Sequence, residues 1–292
     1  MERSAITTIF QHITNTRRDY EFEKDSRRIS VHNVKIMNIK TDKKYVPLSD
    51  RAKSVILGSI LGDGSLKIQN KYSNASLQIR HSEVQKEYLL WKAKELREIK
   101  GDSSVSVQKA DGYSKNRKWR FVSKRLPSLT ELHHLTYKNN KLRIKRTWLN
   151  QMTALSLAVW WCDDGSLISY GGRKGVFCTD GFDKTSVEIL ARYLEVVWGI
   201  HSIVAPIGRK RDGKQEEYWR IWIRSSDELK KFLRIILPFI PVSSMLSKTI
   251  LLYKDSQFQQ RWISEVVQLS QFSLSVVMAE CEKKKAKWNC YR

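Results

Sequence analysis

Ile56-Leu57-Gly58-Ser59-Ile60-Leu61-Gly62-Asp63-Gly64 and Leu157-Ala158-Val159-Trp160-Trp161-Cys162-Asp163-Asp164-Gly165 are two versions of one stretch. Each is apolar nearly all round, so each predicts a buried helix. Each ends in Asp-Gly and runs on into Ser-Leu. A helix C-terminus carries partial negative charge and favours a cation, whereas both copies place Asp there, at a cost of about 0.3–1 kcal/mol each. The glycine that follows suits a left-handed residue after the helix.

Outward from these stretches the pattern recurs. The first helix, Ala52 to Gly62, has Ser49 as its expected N-cap. Strands are expected at Leu66–Gln69 and Ala75–His81, then a helix at Glu83–Glu98 with an apolar face of Tyr88, Leu89, Trp91, Leu96 and Ile99. A hairpin of Ser103–Lys109 with Trp119–Ser123 turns at Asp111-Gly112, and a helix at Pro127–Leu135 closes the unit. The second copy has a helix at Ala154–Asp163 and strands at Leu167–Tyr170 and Val176–Thr179. A helix at Thr185–Trp198 follows, then strands Ser202–Ile207 and Tyr218–Arg224 around the basic loop Gly208–Lys214, and a helix at Asp227–Ile236. The order αββαββα thus occurs twice. Two copies point to pseudo-twofold symmetry, since a solenoid needs at least three. The expected class is α+β, with residues 1–47 an N-terminal extension, 48–150 and 151–255 the two halves, and 256–292 a C-terminal helix and basic tail. The run Glu282–Lys287 reads as a solvated, fraying terminus.

The net charge of +23 comes from 53 Lys and Arg against 30 Asp and Glu. Such self-repulsion suits a polyanionic partner, because each neutralised phosphate releases a counterion. The cations are spread along the chain rather than massed on one helix, which favours nucleic acid over a membrane surface. No apolar run is long enough to span a membrane; the best, Phe232–Leu246, is broken by Pro238 and Pro241 and reads as a buried helix with a break. Cys162, Cys178, Cys281 and Cys290 form neither a metal-spaced pair nor a disulfide framework, so a reducing compartment is expected.

Gly58 and Gly62 lie on one helix face and would admit a second backbone, with Ala158 and Cys162 as the facing strip. If the two helices pack in parallel, Asp63 and Asp164 converge. Two such charges about 6 Å apart repel by roughly 3 kcal/mol at an effective dielectric of about 20. A hard divalent cation would offset that repulsion. Trp160 and Trp161 are expected in the core, no histidine is given a catalytic role, and His133-His134 is expected on a helix surface.

These residues resemble the LAGLIDADG homing endonucleases in their single-chain, two-motif form, over about Leu48 to Tyr253. The second copy is similar to the branch that includes the yeast mitochondrial omega-intron endonuclease. The resemblance implies a pseudo-twofold fold with two antiparallel sheets forming a DNA-binding saddle around the paired motif helices. It implies metal-dependent hydrolysis of both strands of a long asymmetric DNA target read in the major groove. Asp63 and Asp164 would be the catalytic metal-binding acids, with Gly62 and Asp163 as further metal contacts. The ions would be Mg²⁺, two or more, with Mn²⁺ or Ca²⁺ able to substitute for binding. Lys141 and Lys248 would stand beside the scissile phosphates. Gln78 would order water, with Cys178 in its place in the second half. Candidates for DNA contact are Lys67, Gln69, Arg80, Gln108 and Lys109, and then Arg173, Lys174, Arg209, Lys210, Arg211, Arg220, Trp222 and Arg224. The partner would be double-stranded DNA bound by a monomer, with intron RNA as a further partner if the scaffold serves as a splicing maturase. No membrane is expected as a partner. The resemblance and an acid-poor start, in which Glu2 is the only acid before Asp19, place the chain in an organelle, mitochondrion or chloroplast.

Overall fold

The computed structural model of the protein describes residues 45–108, 117–168, 171–211 and 214–289. Most of the N-terminal extension, Lys109, the Asp111-Gly112 turn, Tyr170 and Cys290 lie outside those residues. The first half is α1 (Asp50–Leu61), β1 (Gly64–Lys67), β2 (Ser76–Ser82), α2 (Lys86–Glu95), β3 (Val105–Gln108), β4 (Lys118–Val122) and α3 (Pro127–Thr136). A small hairpin, β5 (Tyr137–Lys138) with β6 (Lys141–Leu142), and a short α4 (Arg146–Leu149) lead to the second half. That half is α5 (Ala154–Asp164), β7 (Gly165–Ile168), β8 (Lys174–Phe177), α6 (Lys184–Trp198), β9 (Ile203–Arg211), β10 (Lys214–Ile223) and α7 (Ser226–Ile236). Two helices follow, α8 (Ser256–Leu269) and α9 (Leu274–Asn289).

The two sheets have the same topology. Their strand orders are β1-β2-β4-β3 and β7-β8-β10-β9, antiparallel throughout. Antiparallel sheets of this kind bury one face and leave the other open. Leu77, Ile79, Phe121, Phe177, Ile221 and Ile223 supply the buried faces.

Helices α1 and α5 form the centre of the core, and both are buried along almost their whole length. Ser49 accepts from the Ala52 N–H, as the sequence suggests, and Thr153 forms a capping box with Ser156. At their N-terminal ends the Thr153 hydroxyl donates to Ser54 Oγ at 3.0 Å. At their C-terminal ends the Asp63 N–H meets Asp163 Oδ2 at 3.2 Å. The helices are therefore parallel. Gly58 lets them approach: a Cβ there would lie 2.8 Å from Val159 Cβ and also press on the Ser156 carbonyl. The facing strip is Ser156, Val159 and Asp163, not Ala158 and Cys162. Trp160 and Trp161 are fully buried, stacked on and edge-to-face with Phe177.

Other expectations change. The supposed basic loop after Ile207 continues as strand, since β9 and β10 pair out to Arg211 and Lys214. His133 is buried and stacks on Tyr137 at 4.9 Å, so it is no surface residue. The C-terminal charge run belongs to α9, which packs on the turn Ser243–Lys248. The Lys284 ammonium is drawn in to donate to the carbonyls of Ser247 and Ile250 at 2.8 and 2.7 Å. Burial lowers its pKa to about 8. A composition-based reading of this run as a frayed tail misses the aliphatic stem of lysine, which buries readily when its head finds carbonyls.

Candidate active site

The site grows from the C-terminal ends of α1 and α5. Asp164 is the last residue of α5, whereas α1 stops at Leu61 and Asp63 follows the non-helical Gly62, with φ −119° and ψ −118°. Both acids then enter edge strands β1 and β7 through Gly64 and Gly165. Each carboxylate is thus fixed between a buried helix and a paired strand.

The two carboxyls differ electrostatically. Burial raises the Asp63 carboxyl, but the adjacent His81 imidazole and the charges of Lys92 and Lys248 outweigh it, so its pKa falls below the ordinary value. Burial and the charges of Asp63 and Asp163 push Asp164 up to about 8, with Lys248 and Lys92 offsetting only part. The convergence of charge expected from the sequence is therefore present.

Asp163 is occupied otherwise. Its carboxylate is fully buried and takes both oxygens to the equally buried Lys92 ammonium, at 2.7 and 2.8 Å. Ligand atoms of Asp63, His81 and Asp163 lie within 4.8 Å of one another. A lysine cation already sits against the Asp163 oxygens, so a metal ion there would have to displace it. The Asp163 carboxylate is thus already engaged by a cation. Lys92 and His81 are absent from the sequence-based site. His81 is fully buried, with Nδ1 3.3 Å from Asp63 Oδ2. Its one signal in the sequence is the β2 alternation, which puts it on the core face beside Ile79.

Lys248 donates to the carbonyls of Cys162 at 2.6 Å and Asp163 at 3.1 Å. It supplies the cation that the α5 C-terminus lacks in its own sequence. Its ammonium is thus anchored at the C-terminal end of the motif helix. Lys141 is exposed on the β5–β6 hairpin, whose tight turn puts Asn139 and Asn140 at φ 51° and 59°. Leu66 N–H donates to Tyr137 Oη at 3.2 Å, which ties this hairpin to β1.

Strand register corrects one pairing between the halves. Gly64 pairs with Ile79 and Gly165 with Phe177. The counterpart of Cys178 is therefore Arg80, and that of Gln78 is Val176. Gln78 accepts from Arg120 Nη2 at 3.2 Å on the open sheet face. Arg80, Lys67, Gln69, Arg173, Lys174 and Arg224 are exposed. Gln69 accepts from Arg125 at 2.9 Å, and Arg173 lies over the Tyr253 ring. Gln108 and Trp222 are half-buried on their strands. Arg220 is buried and held by Asp180 through two hydrogen bonds of 2.5 and 2.6 Å, so it is not an open cation. Arg209, Lys210 and Arg211 pair through the backbone with Glu216, Gln215 and Lys214.

The acids that stay accessible are Asp63, which is exposed, and Asp164, which is half-buried. Hard oxygen donors of this kind fit Mg²⁺ or a similar ion.

Comparison with known proteins agrees with this geometry. The chain resembles proteins named RecA: 26% identity over 209 residues with that of Mycolicibacterium flavescens, covering 67% of this chain and 46% of the relative. With the RecA of Mycobacterium gastri the identity is 33% over 209 residues, covering 66% and 46%. The chain spans less than half the length of these curated relatives. Among solved structures it resembles the homing endonuclease I-WcaI bound to its DNA recognition sequence, with 23% identity and a TM-score of 0.61, covering 72% of this chain and 90% of that one. At that identity the likeness speaks for the fold, α+β with two four-stranded antiparallel sheets. The family model described as the LAGLIDADG DNA endonuclease family matches residues 53–232, more than half of the chain, and spans both motif helices and both sheets. The chain belongs to the LAGLIDADG DNA endonuclease family.

Proposed function

We propose that this chain is a site-specific double-strand DNA endonuclease that requires divalent metal. The observation that carries the reading is the pairing of Asp63, just past the end of α1, with Asp164, the last residue of α5, whose carboxyl is pushed up to about 8 by burial and by the neighbouring acids. A pair of carboxyls held in mutual repulsion is costly for a protein that only binds, and it is the arrangement that holds hard cations. Asp63 and Asp164 would hold Mg²⁺, which when bound supplies activation of water and neutralises charge on the phosphate. The chain's own residues then orient and screen. Lys248 fixes the end of α5 and lends positive charge to both acids. Lys141 stands on an exposed hairpin from which it can reach a phosphate. Gln78 and Arg120 present a polar pair on the open sheet face beside β1.

The open faces of the two sheets would read a long, asymmetric duplex target in the major groove, with exposed cations such as Lys67, Arg80, Lys174 and Arg224 holding phosphates. One chain contains both acids, so it would act as a monomer. If the second motif, residues 156–167, shares the ancestry of the omega-intron endonuclease branch, the chain would serve intron homing in an organelle, with intron RNA as a further partner.

The test is in vitro cleavage of a randomised duplex library by the full chain with Mg²⁺, followed by sequencing of the ends. A discrete site is expected, abolished by EDTA and by Asp63→Asn while binding to the recovered target survives. Cutting that continues in EDTA or in the Asp63→Asn chain would overturn the assignment.

A further inference from the structure

The two halves differ at the point where their helices touch. Aligned on the final acid, Gly62 of one half corresponds to Asp163 of the other. Across the interface these two positions meet: a Cβ on Gly62 would lie 2.8 Å from Asp163 Oδ2. The space that glycine leaves empty is filled by the Asp163 carboxylate. That carboxylate accepts the Asp63 N–H at 3.2 Å. The corresponding acid, Asp164, is still inside its helix, whereas α1 ends two residues before Asp63. Asp63 is thus beyond the helical ladder, and its main chain is held by a side chain from the other half.

The holder is itself held. Lys92 on α2 is fully buried, spans the Tyr88 ring at 4.6 Å, and donates to both Asp163 oxygens. A buried ion pair is often no more stabilising than apolar residues of similar volume. Stability alone therefore gives no account of a lysine placed inside this core.

We propose that Asp163 and Lys92 are positioning residues for Asp63: Asp163 fixes the Asp63 backbone, and Lys92 fixes Asp163, so that the first-half carboxylate faces the site although its helix has already ended. This rests on the endonuclease reading, because the orientation of Asp63 matters only if that carboxylate works.

Two double variants separate positioning from packing. Lys92→Met with Asp163→Asn removes both charges but keeps an oxygen to accept the Asp63 N–H. Lys92→Met with Asp163→Leu removes the acceptor as well. Each is compared with the wild-type chain for thermal midpoint, binding to the recovered target duplex in Ca²⁺, amide exchange at Asp63 by NMR, and single-turnover cutting in Mg²⁺. The asparagine variant keeps the acceptor but loses the lysine that fixes it, so it is expected to cut about threefold more slowly than wild type; the leucine variant is expected to cut about tenfold or more slower at unchanged binding, with its Asp63 amide exchanging about tenfold faster. Equal cutting by wild type and the leucine variant, or equal losses in both variants, would overturn the proposal. If the leucine variant does not fold, Lys92→Met with Asp163→Asn decides: slower cutting together with faster Asp63 amide exchange at unchanged binding supports the proposal, and wild-type cutting with wild-type exchange rejects it. If the wild-type chain cuts no duplex, it is the endonuclease reading that fails, and Asp63 amide exchange still tells whether Asp163 holds that residue.

Discussion

The Lys248 ammonium donates to the carbonyl of Cys162 at 2.6 Å, so the motif helix that ends in two acids receives its terminal cation from a turn far along the chain. The same residue is fastened from the other side, because the Trp161 indole donates to the Lys248 carbonyl at 2.9 Å. Lys248→Met is expected to leave the last α5 carbonyls without a donor and to destabilise the chain by about 1–2 kcal/mol. Urea unfolding at neutral pH measures this; an unchanged midpoint would show that water replaces the ammonium without loss.

Asp164 makes metal binding dependent on pH. Its folded pKa of about 8 lies above the ordinary 3.8, so the proton is held by the folded chain. Its stabilising contribution is complete below the ordinary value and is lost as pH rises through about 8. A divalent cation must displace that proton. Mg²⁺ binding near pH 6.5 is expected to release close to one proton, and binding near pH 9 almost none. Calorimetry in two buffers of different ionisation enthalpy reads the difference. Asp164→Asn should abolish the release, together with cutting, while duplex binding persists. Identical heats in the two buffers near pH 6.5 would count against a protonated Asp164.

Gly58 sits against α5, and an added methyl would press on the Ser156 carbonyl oxygen and meet Val159 Cβ at 2.8 Å. Gly58→Ala should force the helices apart at a cost of about 1–3 kcal/mol, and the shift should be felt at both acids. Thermal unfolding and metal affinity are the measurements. Full stability in the Gly58→Ala chain would mean that the interface is looser than its contacts indicate.

Association with duplex DNA should weaken steeply with salt between about 50 and 200 mM. Removing one phosphate-holding cation, as in Arg80→Ala or Lys174→Ala, should lower the salt slope by about one. Arg220→Ala should behave differently. Arg220 is buried in its ion pair with Asp180, so its loss is expected to appear as instability of the second sheet rather than as a reduced slope. A slope change for Arg220→Ala equal to that of Arg80→Ala would show that the guanidinium swings out to DNA.

Much of this protein could be read from local pattern. The duplication, both buried helices, the strand pairs and the two terminal acids follow from apolar periodicity, from Asp-Gly at the end of an apolar run, and from the repeat of that run. The tryptophans of the second motif fall in the core because a helix apolar all round has no exposed face. These are short-range signals, carried by residues within a few turns of one another.

The partners of the charged groups were decided only in three dimensions. Nothing near Lys92 in sequence indicates that it is buried, since its partner Asp163 lies 71 residues away. Lys248 reaches Cys162 across 86 residues. Lys284 leaves a charge run to cap carbonyls 37 and 34 positions back. Burial of a charge depends on whether the fold delivers a counter-charge or a carbonyl to it, and that is a property of packing between elements. The sequence by itself therefore determined that two acids stand at two helix ends. The tertiary structure decided that Asp63 and Asp164 face the site and that Asp163, their neighbour, is turned inward against Lys92.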